Sequence, residues 1–169
     1  ATSRRAHAAC QTGQLSKLRG GMNLEDRLLL GIDLRKDRDV LERAYDDSSG
    51  VTARFNRNLL ARINRELGGR FDPETFDFRA TYDEVEGNVV SLLRSRRDQT
   101  VRIEGLGLDV EFAAGETINT ENSFKYSWAE IEALARCTGF AVEEHWLDAG
   151  NRYSVNLLAP VPPIGTAAD

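Results

Sequence analysis

The residues best suited to chemistry lie in the stretch GETINTENSFKY, residues 115–126, between an alternating apolar segment and a helix signal. Within it, Glu121 and Ser123 are two positions apart, and side chains at that spacing on an extended strand point to the same side. A carboxylate accepts hydrogen bonds and a hydroxyl both donates and accepts them, so the pair is suited to holding an imidazole or another N–H donor. The composition of residues 115–126 is also typical of a capped, solvated loop. On these residues alone the loop is the better interpretation.

Tyr45 is the second candidate, because it ends a predicted helix beside Asp46 and Asp47, and binding groups often lie at such boundaries. The usual catalytic motifs are missing: the sequence has no Gly-x-Ser-x-Gly elbow, no P-loop and no metal-ligand cluster. The Gly-x-Gly of EGLGLD precedes a strand pattern rather than a helix start, which predicts a turn. Neither a catalytic residue nor a metal site is therefore predicted.

Composition and charge exclude several classes of function. A chain of 169 residues is long enough for one domain with a single core. The net charge of −5 argues against nucleic-acid binding. No run approaches the roughly 18 apolar residues of a membrane helix. The two cysteines have neither disulfide nor zinc spacing, which predicts a cytoplasmic protein.

The first 24 residues differ from the remainder in charge. They contain four basic residues and no acid, so this head carries +4 against the −5 of the whole chain. Its weak periodicity predicts an irregular, disordered segment over residues 1–24. The ordered region is predicted over residues 25–159, and the Pro-rich end predicts a tail over residues 160–169.

The elements between the two ends follow an α/β order. The apolar run RLLLGIDL predicts a strand buried on both faces, as in parallel sheets. A short helix is predicted over residues 37–45, and a longer one over residues 51–67, whose i+4 ladder of Val51, Phe55, Leu59, Ile63 and Leu67 is its apolar face, with Arg and Asn opposite. Strands follow over residues 76–112, then a helix capped by Ser127 and a closing antiparallel hairpin.

Several of these segments together resemble one family. LLLGIDLRKD, AYDDSSGVTARFNRNLLARINREL and FAAGETINTENSFKYS are similar to the S-adenosylmethionine-dependent histidine Nα-methyltransferases of ergothioneine biosynthesis, and the resemblance runs from about residue 26 to residue 158. It implies an α/β fold: the C-terminal half of a Rossmann-like methyltransferase sheet with a strand-rich substrate-domain insertion over about residues 76–124.

The resemblance also implies a substrate site. In that family the tyrosine of the A-Y-D-D motif helps to hold the substrate carboxylate, which points to Tyr45, and the Glu and Ser of T-E-x-S hold the imidazole, which points to Glu121 and Ser123. Where the family has Arg-Ile-Glu-Met on a pocket strand, this chain has Asn-Val-Val-Ser. Ser91 therefore replaces the methionine that lines the pocket, which leaves open whether histidine or another amino acid is the substrate.

S-adenosylmethionine is the implied cofactor, yet no cofactor-binding residue is predicted in this chain. In the family, the glycine-rich cofactor loop, the acid for the ribose and a Gly-Asn motif precede the region matched here, and residues 1–24 contain no counterpart. The expected reaction is methyl transfer to the α-amine of L-histidine, an in-line displacement that depends on positioning. The alternatives are a truncated or non-catalytic remnant that binds a ligand or a partner, and a methyltransferase for another amino acid.

The implied partner is a small-molecule amino acid, with no nucleic acid and no membrane. The resemblance implies a monomeric family. A half-sheet leaves an unpaired edge and exposed apolar helix faces, so we expect this chain in isolation to self-associate.

Overall fold

The computed structural model describes residues 12–162, which contain four α-helices and eight strands. The chain divides into two compact units. The terminal unit is formed by both ends of the chain, Ala1–Lys36 and Phe124–Asp169, and the central unit by Asp37–Ser123. The central unit is therefore inserted, in sequence, between the two parts of the terminal unit.

The terminal unit is built on a three-stranded sheet in the order β1–β8–β7. Its strands are β1 (Leu28–Asp33), β7 (Phe140–Leu147) and β8 (Tyr153–Pro160), and both pairings are antiparallel. The predicted β7–β8 hairpin is confirmed, but the prediction of a parallel-type β1 buried on both faces is wrong. The returning hairpin places β8 against β1, and burial along β1 alternates, with Ile32 in the core and Leu29 62% exposed.

Two helices belong to the terminal unit: α1 over residues 12–20 and α4 over Trp128–Cys137. The irregular structure predicted for residues 1–24 is wrong for α1, since Leu15 is buried and the Arg19 guanidinium donates to the carbonyls of Gly139 (3.0 Å) and Val161 (2.6 Å). Helix α1 was missed because it carries few apolar residues and obtains its partners from distant segments. Residues 1–11 and 163–169, which include most of the predicted tail, lie outside the described residues.

A carboxylate shared by two lysines lies at the end of β1. Asp33 accepts a hydrogen bond from Lys125 Nζ at 2.8 Å and another from Lys36, and the Lys125 side chain is only 2% exposed. Burial acts to raise the pKa of the Asp33 carboxyl, but the two lysines outweigh it and hold that pKa below its ordinary value. Because a buried ammonium without a partner is costly, this ion pair stabilises the segment that enters the terminal unit after Ser123.

The central unit contains two helices, a three-stranded sheet in the order β2–β3–β6, and a separate hairpin. The elements are α2 (Arg38–Tyr45), α3 (Val51–Leu67), β2 (Phe76–Asp83), β3 (Asn88–Ser95), β4 (Gln99–Ile103), β5 (Leu108–Phe112) and β6 (Thr117–Phe124). The strands predicted over residues 76–112 are confirmed, but the solvated loop favoured for residues 115–126 is wrong over Thr117–Phe124, which form strand β6. One face of β2 and β3 is buried against α2 and α3, and three aromatic rings, Phe71, Phe76 and Phe112, pack with centroids 5.4–6.2 Å apart.

The predicted apolar stripe of helix α3 was the i+4 ladder widened by Leu60, and the helix packs through Leu60 and Ile63 rather than through the rest of the ladder. Its buried residues are Asn56 and Leu60, whereas Phe55 of the apolar ladder is 73% exposed and Val51 is 56% exposed. The helix is rotated about its axis because Leu60 fills the core while Asn56 reaches a polar partner on the sheet. The ladder therefore forms an exposed apolar face, here called the α3 ladder and defined as Val51, Phe55, Leu59 and Leu67.

Among residues 12–162, no helix combines the length and apolar character needed to cross a membrane. The same residues contain no group of three or more His, Cys, Asp and Glu side chains placed to hold a metal ion.

The capping turn before α3 generates the first prediction. Asp47 accepts hydrogen bonds from Ser49 and from the backbone N–H groups of Val51 and Thr52, both at 3.1 Å, and these bonds hold the pKa of its carboxyl well below the ordinary value. We expect Asp47→Ala to lower Tm at pH 7 by about 3–6 °C. Because the pKa is depressed in the folded state, the Tm difference from wild type should begin to shrink as pH falls below about 4 and should vanish only below the depressed folded-state pKa.

Asp46→Ala is the matched control, because the neighbouring carboxylate is exposed and caps nothing among the described residues. Thermal melts followed by circular dichroism at pH 7 and pH 3 measure both variants. Equal Tm values for Asp46→Ala and Asp47→Ala at pH 7 would contradict the capping role.

Candidate functional site

Two of the predicted site residues meet in the central unit. Tyr45 ends α2, Ser123 lies near the end of β6, and the Tyr45 Oη and Ser123 Oγ atoms are 2.7 Å apart although the residues are 78 positions apart in sequence. The Tyr45 ring packs against the core of the unit, so its hydroxyl is held at the edge of that core. Either hydroxyl can be the donor in this contact.

The residues before Ser123 are tied to other elements through their side chains. Thr120 Oγ1 lies 2.6 Å from Asn56 Oδ1 on α3 and 3.0 Å from the carbonyl of Ser91 on β3. Asn122 Oδ1 accepts a hydrogen bond of 2.8 Å from Asn88 Nδ2 on β3. These contacts attach β6 to a helix and to its neighbouring strand by bonds additional to the backbone ladder.

Glu121 is the exception within this segment. Its side chain is exposed and makes no hydrogen bond or ion pair with any residue in the described part of the chain, whereas Thr120, Asn122 and Ser123 on either side all do. The segment therefore presents one carboxylate whose acceptor positions are available to a ligand. That Glu121 binds an imidazole stays a prediction.

The alternation of side chains along β6 is interrupted at this point. Asn119 and Asn122 exchange two amide hydrogen bonds, at 3.4 and 3.3 Å, although strict alternation would place residues three apart on opposite faces. The assumption of a regular extended strand, on which Glu121 and Ser123 were predicted to share one side, therefore does not describe this segment fully.

Ser91, the remaining predicted site residue, lies on the buried face of β3 opposite Ala80 of β2. It is 0% exposed, and its Oγ has no hydrogen-bond partner among the described residues. A buried hydroxyl without a partner loses the hydrogen bonds that water would supply, so this position is energetically unfavourable unless another group pairs with it. No side-chain hydrogen bond within residues 12–162 joins Ser91 to Tyr45, Glu121 or Ser123.

Asn56 and Thr120 were not predicted as part of the site. The signal in the sequence was an asparagine within a 17-residue amphipathic helix, where a buried position would ordinarily be apolar. The i+4 ladder hid this signal, because it assigned Asn56 to the solvent face.

The residues that the structure describes do not by themselves form a site for S-adenosylmethionine. A nucleoside cofactor at the end of an α/β strand needs a glycine-containing turn that lets the ligand approach the backbone. The residues between β1 and α2 are Leu34, Arg35, Lys36 and Asp37, which include no glycine, and their basic side chains are engaged by Glu130 and Asp33. The turn between β1 and α2 is therefore not a cofactor-binding turn.

Comparison with known proteins decides the family. Residues 5–160 match the family model described as histidine-specific, S-adenosylmethionine-dependent methyltransferase. The chain belongs to this family. The resemblance predicted from the sequence is thereby confirmed, and the family uses S-adenosylmethionine as its cofactor.

The chain matches only part of the length of each of three relatives. The chain is 42% identical to the histidine N-alpha-methyltransferase of Mycolicibacterium smegmatis over 143 residues, which are 85% of this chain and 44% of that protein. It is 32% identical to ergothioneine biosynthesis protein 1 of Schizosaccharomyces pombe over 67% of this chain and 14% of that protein. It is 26% identical to an L-tryptophan methyltransferase of Psilocybe serbica over 76% of this chain and 36% of that protein.

The chain thus spans less than half the length of the bacterial relative. Among solved structures, the CcbJ methyltransferase from Streptomyces caelestis matches with a TM-score of 0.45 and 12% identity, covering 92% of this chain and 51% of that chain.

The missing cofactor cradle generates the second prediction. We expect isothermal titration of the 169-residue chain with S-adenosylmethionine to show no binding in the micromolar range, because the turn after β1 offers no glycine and no unengaged basic side chain. The full-length Mycolicibacterium smegmatis relative, titrated under the same conditions, is the positive control. A clear binding isotherm from the isolated chain would contradict this expectation.

Proposed function

We propose that this chain forms the amino-acid end of an S-adenosylmethionine-dependent N-methyltransferase that acts on the α-amine of L-histidine. The observation that carries the proposal is the arrangement of the T-E-N-S segment, in which the Glu121 carboxylate has no partner among the described residues and Ser123, two positions later, contacts Tyr45. Membership of the histidine-specific family supports the same substrate.

Each residue has a role that its chemistry allows. A neutral imidazole carries one N–H donor and one acceptor nitrogen, so the Glu121 carboxylate accepts from the donor while the Ser123 hydroxyl donates to the other nitrogen. The Tyr45 hydroxyl donates to the substrate carboxylate. Because the two hydroxyls bond to each other at 2.7 Å in the free protein, binding replaces that bond with bonds to the ligand.

The reaction itself asks little acid–base chemistry of this chain. When bound, S-adenosylmethionine would supply an electrophilic methyl group, and its transfer to the neutral α-amine would release S-adenosylhomocysteine and one proton. The residues of this chain contribute by holding the carboxylate and the imidazole so that the amine has one orientation, and such positioning accounts for a large part of many rate enhancements.

A second substrate is favoured by Ser91. A serine is shorter than the methionine found in the family at this position, and its buried Oγ lacks a partner among the described residues. The alternative function is therefore methylation of another amino acid, and one relative is named an L-tryptophan methyltransferase. The third alternative is a non-catalytic remnant of this fold that binds a ligand or a partner.

We also propose the architecture that the resemblance implied. The terminal unit represents the C-terminal half of a Rossmann-like sheet, and the central unit is the substrate-domain insertion. The placement of Asp37–Ser123 between the two parts of the terminal unit supports an insertion, which begins earlier in the chain than the predicted residue 76.

The imidazole-binding role generates the third prediction. Glu121→Gln preserves the shape of the side chain but removes the charge, so we expect kcat/KM for histidine to fall about 10- to 100-fold, the range of one charge-assisted hydrogen bond. Methyl transfer from labelled S-adenosylmethionine is measured in the protein as its gene encodes it, with histidine and with tryptophan.

Glu111→Gln on β5 is the matched control, because it removes an exposed carboxylate from the same unit. Its kcat/KM should equal that of wild type. Unchanged histidine turnover by Glu121→Gln would show that the imidazole role is wrong. Faster turnover of tryptophan than of histidine by wild type would favour the alternative substrate.

Self-association of the isolated chain is proposed through the α3 ladder, with a second copy of the chain as its partner. An i+4 row of apolar side chains is complementary to the same row on an antiparallel copy. Phe55, at 73% exposure, is the most exposed residue of the ladder and its one aromatic member. In the fourth prediction, sedimentation velocity at about 50 µM shows dimers or larger species for wild type and mainly monomer for Phe55→Ser.

Val85→Ser removes a comparably exposed apolar side chain, 83% exposed, from the turn between β2 and β3, and it should leave the association unchanged. A monomeric wild-type chain at this concentration would rule out the proposed association.

A further inference from the structure

The strand that carries Glu121 is an edge strand. β6 ends the order β2–β3–β6 among the described strands, so its backbone ladder is made with β3 alone. Ser95 N–H donates to the Glu116 carbonyl, and Thr120 lies beside Ser91, which shows that β6 runs antiparallel to β3. An edge strand with polar side chains on both faces has a weakly specified register.

A part-buried hydrogen bond between the side chains of Thr120 and Asn56 specifies the register of β6. Asn56 Nδ2 donates to the carbonyl of Thr52 at 2.9 Å, so its Oδ1 faces β6 and the Thr120 hydroxyl is the donor in their 2.6 Å contact. Asn56 is 4% exposed, so water does not compete for the bond. The Asn56 amide thus donates through Nδ2 and accepts through Oδ1, and Oδ1 is the acceptor that it presents to Thr120.

The presence of Asn56 at this point is unfavourable for the helix alone. Asparagine is a poorer helix former than leucine, and burying its amide requires that both ends find partners. A buried polar side chain of this kind can fix the register of packed elements, as a single asparagine does in coiled coils. A slip of β6 by one residue would move Thr120 away from Asn56 and send Glu121 to the other face.

We infer that Asn56 and Thr120 are positioning residues for Glu121: their buried hydrogen bond locks β6 in the register that presents the Glu121 carboxylate to the substrate side chain. This inference rests on the proposed function for its consequence in substrate recognition. The register lock itself depends only on contacts within the central unit.

Three variants test the inference in the gene-encoded protein. Thr120→Val keeps the shape of the side chain and removes the donor, Thr120→Ser retains the donor, and Thr138→Val removes a buried threonine hydroxyl that donates to Leu134 in the terminal unit at 2.8 Å. Amide hydrogen exchange over residues 119–123 reports the register lock, and steady-state kinetics with histidine report recognition.

We expect exchange over residues 119–123 to accelerate about tenfold or more in Thr120→Val, through more frequent local opening of β6. KM for histidine should rise about five- to tenfold with kcat changed less than about twofold, the pattern of lost substrate binding. Thr120→Ser should restore both values to those of wild type. Thr138→Val should lower Tm but leave the exchange of these amides and KM unchanged.

Two results would overturn the inference. Unchanged exchange in Thr120→Val would remove the register lock whether or not the protein is active. Faster exchange with an unchanged KM would remove its link to recognition. If wild type neither binds nor methylates histidine, the proposed function fails, and the exchange data still decide the register lock.

Discussion

The central constraint in this molecule is that the candidate binding residues Glu121 and Ser123 lie on β6, an edge strand that pairs with β3 alone among the described strands. Strand β6 is held in place by hydrogen bonds from its own side chains to α2, α3 and β3. These bonds engage the side chains of Thr120, Asn122 and Ser123, whereas the Glu121 carboxylate has no partner among the described residues. The interactions that stabilise the edge strand therefore leave one carboxylate of the segment unengaged within the described part of the chain.

The polar contacts of β6 determine how the helix beside it packs. Because Asn56 is directed to Thr120 and Leu60 fills the core, α3 turns its longest apolar row outward. An exposed row that includes Phe55 is unusual for an isolated domain and suggests a surface made to be covered. The Ser91 hydroxyl, which is buried with no partner among the described residues, is also unfavourable for packing, since an alanine would bury no polar group there.

Most elements could be predicted from the sequence, because hydrophobic period and capping residues are local signals. The α4 capping box of Ser127 and Glu130 and the β7–β8 hairpin follow directly from such signals. Helix α1 could not be predicted, since it has few apolar residues and Arg19 donates to carbonyls more than a hundred residues away. The antiparallel pairing of β1 was missed because an apolar run indicates burial but does not identify a neighbour.

The sequence by itself determined the family and the identities of Tyr45, Glu121 and Ser123 as candidate substrate residues, because motif and spacing are properties of the chain. Only the tertiary structure decided that Tyr45 and Ser123 are in contact, that Glu121 alone in its segment has no partner among the described residues, and that Asn56 contacts Thr120. The physical reason is that a hydrogen bond between residues 64 or 78 positions apart depends on the rotation of a helix and the register of a strand. Both are set by competition among core contacts, which no local pattern records.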